Sequence, residues 1–257
     1  MTGPLIFAYD VECAPALAWT YDLFPKFIGI DQVVEHPRVI SFAGQFEQDG
    51  VKKPLVFRSE YHHSRDEMLA KLWEMQDQAD YVMGWNSQGF DDPYVMGEFS
   101  LEGLGRPAPF TPIDLMRVEK RNFRLLSRKL DYAAIRYLND RKDGVNALHM
   151  WLDIKAAEEG GDEARLRRLW NKFAKYNKKD VTLLWDIRDS FLPWIDSLNF
   201  NNFQDDGESR LVCAKCNSPE LTKRGLYRTS RSVFQVYRCP QGHQTRAVKR
   251  ESGVQGV

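Results

Sequence analysis

The sequence lacks long hydrophobic runs, an excess of either charge and a cysteine-rich framework. No stretch approaches the roughly 18 consecutive apolar residues of a membrane-spanning helix, and the first residues lack the basic start of a secretory signal. We therefore expect a cytoplasmic protein without a membrane partner. Four cysteines in 257 residues exclude a disulfide-held scaffold. Aromatic residues are abundant instead: 15 Phe, 10 Tyr and 7 Trp exclude disorder as the main state and predict a sizeable core.

Charge is distributed unevenly along the chain, although 36 basic and 36 acidic side chains cancel. Residues 209–257 hold ten basic and two acidic side chains, a net charge of +8, which leaves −8 on the other 208 residues. A basic tail on an acidic body suggests a polyanionic partner that the tail holds. Chance clustering on a solvated surface is the alternative.

Hydrophobic patterns predict an α/β body. Short apolar runs predict strands over residues 4–12, 38–46, 52–59 and 80–85. The segment 109–118 can supply another strand. Apolar spacing predicts a helix over 65–78 with Ser64 as its cap, a second helix near 93–102, and mainly helices from 129 to 192.

The domain organisation follows from a change in composition near residue 199. We expect a body over residues 1–198, a polar linker over 199–208 and a small basic module over 209–257.

The first of three acidic motifs is Asp10-Val11-Glu12, at the end of the first predicted strand. Alternate side chains of a strand share a face, so the two carboxylates point the same way. They repel each other unless one is protonated or a cation lies between them.

The second acidic motif runs from Asn86 to Tyr94, directly after the fourth predicted strand. Open α/β sheets place their sites at that edge. We expect Asp91 to act at the site and Asp92 to be an acid at the start of a helix, with simple capping as the alternative for either. We expect Asp114, further along, to have a structural role.

The third motif pairs Tyr176 with Asp180 inside a helical stretch. Residues four apart lie on one helix face, although an exposed helical turn would look the same. Convergent carboxylates can bind two Mg²⁺ or Mn²⁺ ions, which suit in-line phosphoryl displacement. The four carboxylates that would have to converge are those of Asp10, Glu12, Asp91 and Asp180.

The acidic set with Tyr176 resembles the DEDDy-type 3′→5′ exonucleases of the ribonuclease H-like superfamily. The Asn86–Tyr94 string is similar to the second exonuclease motif in the proofreading domain of family B DNA polymerases. The third motif is of the tyrosine subtype, since Lys175 occupies the position of the histidine in the other subtype. One departure is Trp85, where relatives often have His. The likeness covers residues 1 to about 195, and without a polymerase body the chain is similar to stand-alone phage exonucleases.

This resemblance implies a ribonuclease H-like fold, with a mixed sheet flanked by helices. It also implies a protein of the cytoplasm of a bacterial or phage-infected cell. It implies a two-metal-ion exonuclease that releases nucleoside 5′-monophosphates from the 3′ end of DNA, single-stranded or frayed. In such a site Asp10 contacts both metals, Glu12 and Asp180 hold one, Asp91 holds the other, and Tyr176 orients the attacking water.

Two residues of the second motif are candidates for substrate binding. We expect Phe90 to stack on the terminal base, with a core contact as the alternative. Asn86 can bind the strand backbone or order its own loop.

The tail contains a second candidate metal site, formed by Cys213, Cys216, Cys239 and His243. Two such pairs supply four ligands for one structural Zn²⁺. The segment resembles zinc ribbons, although many of these use four cysteines. Two thiols beside an unrelated histidine are the alternative.

Between the two pairs, aromatic and basic residues alternate as in a hairpin that binds nucleic acid. The residues concerned are Tyr227, Phe234, Tyr237, Arg228, Arg231 and Arg238. Docking of a replication or repair protein is the competing use of the tail.

Two classes of function remain open. The first is an enzyme acting on DNA, or on RNA, since the metal site does not choose the sugar. The second is a non-enzymatic nucleic-acid-binding adaptor. The presence of all four carboxylates and Tyr176 favours the enzyme.

Overall fold

The computed structural model describes residues 3–140, 146–203, 211–229 and 232–246. In chain order, its strands are β1 (Ile6–Ala14), β2 (Leu17–Ala18), β3 (Val33–Glu35), β4 (Arg38–Gln48), β5 (Val51–Lys52), β6 (Val56–Ser59), β7 (Tyr81–Gly84), β8 (Thr111–Asp114), β9 (Thr222–Arg228), β10 (Val233–Arg238) and β11 (Gln244–Arg246). The helices are α1 (Arg65–Asp77), α2 (Asp91–Leu101), α3 (Leu115–Asn122), α4 (Leu130–Leu138), α5 (Ala147–Glu159) and α6 (Glu163–Phe191).

A mixed sheet forms the centre of the body, in the order β5-β4-β1-β7-β8, with β6 also paired to β4. β1 runs antiparallel to β4, from Ile6 opposite Glu47 to Ala14 opposite Arg38. β7 is parallel to both β1 and β8. Helices pack on this sheet, which confirms the expected α/β architecture of a mixed sheet flanked by helices.

Alternating side chains of β1 divide the core into two layers. Ile6 and Ala8 face a cluster that contains Val181, Leu184 and Trp185 of α6. The odd-numbered Phe7, Tyr9 and Val11 face a cluster built from α1 and α2, which includes Met68, Leu72, Val95 and Phe99. Because Asp10 and Glu12 continue the even-numbered series, the pleat directs them toward α6.

Helix α6 has 29 residues, roughly 44 Å at 1.5 Å per residue. It follows a break at Gly160-Gly161, where Gly161 adopts a φ of 65°, and Asp162 caps it by accepting from the amide of Arg165 (2.9 Å). Its buried stripe is mostly apolar, with Asn177 and Asp180 in the middle and Arg188 near the end.

Local signals fixed several element boundaries. Ser64 caps α1 in a reciprocal box with Glu67, as predicted. The strand expected over 52–59 is divided into β5 and β6, because Pro54 cannot donate to a ladder. The segment 109–118 gives only a four-residue strand before Asp114 caps α3. No strand interrupts the described residues from 129 to 192, as predicted.

The residues of the predicted linker begin inside the body. Phe200–Phe203 form a short 3-10 turn, and Leu198 and Phe200 are buried with Val212 in the core. Residues 204–210 lie outside the described part of the chain.

The C-terminal module is an antiparallel sheet in the order β11-β10-β9. It packs on the body: the amide of Phe200 donates to the carbonyl of Ala214 (3.0 Å), and Lys215 Nζ donates to the carbonyls of Ile195 and Leu198. Within the described ranges, none of the helices has the length and apolar character to span a bilayer.

Candidate functional site

Three of the four predicted carboxylates meet at the end of β1. Asp10 and Glu12 project from the strand toward α6, and Asp180 comes from the buried stripe of that helix. One carboxylate oxygen of each lies within 4.8 Å of those of the other two. Asp10 and Glu12 are partly exposed and Asp180 is buried, so the group lies at the boundary between core and solvent.

Asp91 lies beside this group but not within the same 4.8 Å. It is in the first turn of α2 and is buried. The ladder between β1 and β7 stops at Ala8, since β7 ends at Gly84 while β1 continues. There the amide of Val11 donates to Asp91 Oδ1 (3.2 Å), which holds Asp91 on the strand between the two acids of the first motif.

The carboxyl of Asp91 is in an unfavourable place for a negative charge. Burial raises its pKa to about 7, with Asp92 and Asp114 adding to the rise, while the hydrogen bond from Val11 opposes it. A buried carboxyl among other acids is stabilised in its charged form by a nearby cation. This environment fits a divalent metal site.

Asp92 lies on the side of the sheet that packs against α1 and α2, away from α6. It accepts a short hydrogen bond from the hydroxyl of Tyr9. Burial raises the pKa of both groups, and the Tyr9 hydrogen bond partly offsets the rise for Asp92. This contact ties the start of α2 to β1, so Asp92 has the structural role expected of it.

The sequence reasoning missed Asn177. Its Nδ2 donates to Asp10 Oδ2 (2.7 Å) and to the carbonyl oxygen of Asp10 (3.2 Å). Its Oδ1 accepts from the hydroxyl of Ser41 (3.5 Å). The side chain is fully buried. A signal was present, because Asn177 lies three residues before Asp180 and therefore on the same helix face.

Tyr176 lies one helical turn before Asp180. It is partly buried and packs against the third hydrophobic cluster, which contains Trp170 and Phe173. Packing on this cluster holds the side chain of Tyr176.

The second motif forms a tight loop after β7. Asn86 has a φ of 60°, its amide donates to Asp114 Oδ1 (3.0 Å), and its side chain covers Gly89 so closely that a Cβ there would be 2.7 Å from Oδ1. These contacts favour the role of Asn86 in ordering its own loop. Asp114 also caps α3, which confirms its structural role.

Phe90 is accessible at the start of α2. It is 43% exposed, and its ring centroid lies 4.9 Å from that of Tyr94. It belongs to none of the hydrophobic clusters of the described residues. Trp85, the departure in this motif, donates its indole N–H to the carbonyl of Arg128 (2.9 Å).

The four predicted zinc ligands converge in the C-terminal module. Their ligand atoms lie within 4.8 Å of one another, with Cys216 Sγ 3.8 Å from Cys239 Sγ and Cys213 Sγ 3.9 Å from His243 Nδ1. None of these thiols is in a disulfide. Each ligand pair is on a tight turn, with a positive φ at Asn217 (57°) and at Gly242 (88°).

The chemistry of these donors fits a metal. Thiolates and imidazole are the ligands that Zn²⁺ prefers. Burial and the nearby Lys215 lower the pKa of His243, so its ring is neutral at pH 7, the form that can donate a lone pair.

Comparisons with known proteins give a fold but no family. No protein-family model and no curated protein matches the chain. Among solved structures, the chain is similar to the family B DNA polymerase from the hyperthermophilic archaeon Pyrobaculum calidifontis, with a TM-score of 0.51 and 14% sequence identity. The match covers 97% of this chain and 40% of the polymerase chain. The fold is therefore of a kind found in a family B polymerase, and the chain spans less than half the length of that protein.

Proposed function

We propose that this protein is a 3′→5′ exonuclease that releases nucleoside 5′-monophosphates from the 3′ ends of DNA. The observation that carries the proposal is the meeting of Asp10, Glu12 and Asp180 within 4.8 Å. Asp91, bound to β1 between the first two, supplies the fourth carboxylate. The ribonuclease H-like fold that we assign to the body is compatible with the polymerase likeness.

The four carboxylates fit two Mg²⁺ or Mn²⁺ ions, which favour hard oxygen ligands. Asp10, Glu12 and Asp180 would hold one ion, and Asp91 together with Asp10 the other. When bound, such a pair supplies Lewis-acid stabilisation to the phosphodiester and acidifies water. The protein side of the mechanism is positional: Asn177 holds the Asp10 carboxylate in place.

Tyr176 would orient the attacking water, since it lies one turn before Asp180 on the same helix. Phe90 is placed to contact the terminal base because it is exposed at the start of α2, beside Asp91. Tyr176 would orient the water and Phe90 the substrate, and neither role requires proton transfer by the protein.

A labelled oligonucleotide tests the proposal. With Mg²⁺, a 5′-labelled single strand of DNA should give a ladder of shortened products, and EDTA should abolish it. Asp180→Asn should remove the activity, whereas Asp186→Asn, the same change six residues along α6 and outside the cluster, should retain it. Tight binding without cleavage would favour the adaptor. The same assay on RNA decides the sugar.

We also propose that the C-terminal module is a zinc ribbon held together by one structural Zn²⁺ at Cys213, Cys216, Cys239 and His243. The module has two tight turns with ligands and three short strands, which make a small core. The metal would therefore contribute directly to its folding.

The exposed face of the module is basic and suits the backbone of a nucleic acid. All of β9 is exposed, and it carries Lys223, Arg224 and Arg228, while Arg246 stacks on the ring of Tyr227 (4.4 Å). Arg231, which was expected to contribute, lies outside the described residues.

The position of the module separates it from the acidic site. The amide of Asn199, near the module, contacts the hydroxyl of Tyr81 (3.4 Å) at the beginning of β7, whereas the carboxylates lie beyond its end. Tyr81 pairs with Ile6, so four to six residues of β1 separate it from Asp10 and Glu12, roughly 13–20 Å at 3.3 Å per residue. The module would therefore hold the substrate at a distance from the reacting end.

Salt dependence tests the role of the module. Replacing Lys223, Arg224 and Arg228 by Gln should lower the slope of log affinity against log salt by about 2 for single-stranded DNA. An unchanged slope would favour the docking of a replication or repair protein.

A further inference from the structure

The connection between β1 and β4 exposes an unusual amount of aromatic surface. Half of the large hydrophobic side chains that are exposed in the described residues lie between Leu17 and Val34. We call residues 19–32 the aromatic arm. It carries four rings with large exposed fractions: Trp19 75%, Tyr21 103%, Phe24 92% and Phe27 83%.

The aromatic arm projects from the end of the sheet that carries the acidic site. β2 and β3 pair with each other and continue the β1–β4 hairpin beyond Ala14, two residues after Glu12. Two hydrogen bonds close the base of the arm: the amide of Trp19 donates to the carbonyl of Gln32 (2.9 Å), and Gln32 Nε2 donates to the carbonyl of Trp19 (2.8 Å).

The rings of the arm do not serve the core. The three hydrophobic clusters found among the described residues contain no side chain from the arm. Exposed apolar surface of this size marks a binding site in soluble proteins, and the arm continues from the end of β1 that carries the carboxylates, which makes the substrate the nearest candidate.

The charge of the arm indicates which part of a nucleic acid it can contact. The arm holds Asp22, Lys26 and Asp31, a net charge of −1, and it adjoins an acidic cluster. Phosphates are not attracted to such a surface, whereas the uncharged faces of bases stack on aromatic rings whatever the base. Only unpaired bases offer these faces.

We propose that the aromatic arm is a stacking platform for the unpaired bases of single-stranded nucleic acid, next to the carboxylate site. As a statement about substrate, it rests on the proposed exonuclease function and names its substrate class as single strands. The basic module supplies phosphate contacts at the far end of the sheet, and the arm supplies base contacts at the near end.

Binding without metal tests the arm separately from catalysis. Without added Mg²⁺ or Mn²⁺, the anisotropy of a fluorescein-labelled oligothymidylate of 12 nucleotides reports binding without cleavage. Trp19→Ser/Phe24→Ser/Phe27→Ser should weaken binding at least tenfold, since each stacked base contributes about a factor of ten. The ratio of the ring variant's dissociation constant to that of the parent should be the same at low and high salt.

The arm provides its own matched control. Leu23→Ser/Ile30→Ser removes two aliphatic side chains that are 92% and 77% exposed but leaves every ring. This variant should bind within twofold of the parent. An unchanged melting temperature of both variants would show that these exposed substitutions leave the fold intact.

Three results would overturn the proposal. In the first, the ring variant binds as tightly as the parent. In the second, the aliphatic variant loses as much affinity, which would identify a general apolar docking surface for a protein. In the third, sedimentation shows that the parent is a dimer and the ring variant a monomer, so that the rings are buried between copies. Failure of the Mg²⁺-dependent cleavage assay alone would instead reject the exonuclease and leave the binding result standing.

Discussion

Replacing Asn177 with aspartate tests the geometry of the acidic site without any metal. The two side chains have nearly the same size, so the change affects charge and hydrogen bonding. Asn177 Nδ2 lies 2.7 Å from Asp10 Oδ2 in a fully buried position. Asn177→Asp therefore replaces a donor by a like charge next to the Asp10 carboxylate.

The size of the effect follows from two limits. Two unit charges 2.7 Å apart repel by about 6 kcal/mol at an effective dielectric constant near 20. One carboxyl can avoid this by taking up a proton, which at pH 7 costs about 4 kcal/mol for an ordinary carboxyl pKa near 4. Protonation costs less than the repulsion, so one carboxyl should be protonated. The free energy of unfolding should therefore fall by about 4 kcal/mol at pH 7.

The sign of the pH dependence follows from linkage. The folded variant holds a proton that its unfolded chain releases above about pH 4, because the folded-state pKa of the new carboxyl pair is raised. The loss of stability is therefore absent below the unfolded pKa and grows by about 1.4 kcal/mol per pH unit above it. At pH 5 it should be about 1.4 kcal/mol.

Urea unfolding at pH 5, 6 and 7 without added Mg²⁺ or Mn²⁺, followed by tryptophan fluorescence, measures this loss. Thr182→Asp is the control, since it puts the same charge on an exposed position of α6 and should change stability by less than about 0.5 kcal/mol. If the difference between the Asn177 variant and the parent does not change with pH, Asn177 does not face Asp10 and the site is built differently.

Three further changes test the packing and the module. Arg188→Met should cost about 3–5 kcal/mol in urea unfolding, because it leaves Glu47 buried without its bidentate partner, and Glu47→Leu in the same chain should recover most of the loss. Gly97→Ala should stabilise α2 by about 0.5–1 kcal/mol, since nothing lies within 4 Å of the new Cβ, whereas Gly44→Ala, whose Cβ would be 2.5 Å from a ring, should destabilise by about 1–3 kcal/mol in the same assay. Metal analysis should find one zinc per chain, and Cys216→Ser should lower that ratio.

Local rules made the strand part of the site predictable. The alternation of β1 places Asp10 and Glu12 on one side whatever the rest of the fold does. The predicted strand before Asp91 and the predicted helix after it likewise place Asp91 between the end of a strand and the start of a helix. The meeting with Asp180 could not come from periodicity, because a helical pattern shows which residues share a face but not what that face packs against. That expectation rested on the resemblance.

Two features had no sequence signal of comparable strength. Helical spacing puts Asn177 on the same face as Asp180, but its role depends on the contact of its Nδ2 with Asp10, 167 residues away, which helical spacing cannot predict. The aromatic arm was hidden by composition, because its Trp, Tyr and Phe residues count toward an expected core. Only the exposed fraction of each ring distinguishes a binding surface from a buried one.

The change from core to site along β1 has a structural cause at the end of β7. Up to Ala8, the even-numbered side chains pack against α6 and the strand pairs with β7 on one edge. Beyond Gly84 that edge is open, so the amide of Val11 bonds to Asp91 instead of a strand. Facing the even-numbered residues of β1, the buried side of α6 changes from apolar residues to Asn177 and Asp180 where β1 reaches Asp10. Asn177 and Asp180 on the helix meet the polar end of β1 only in this register. A shift of one residue would turn Asp10 toward the core formed by α1 and α2.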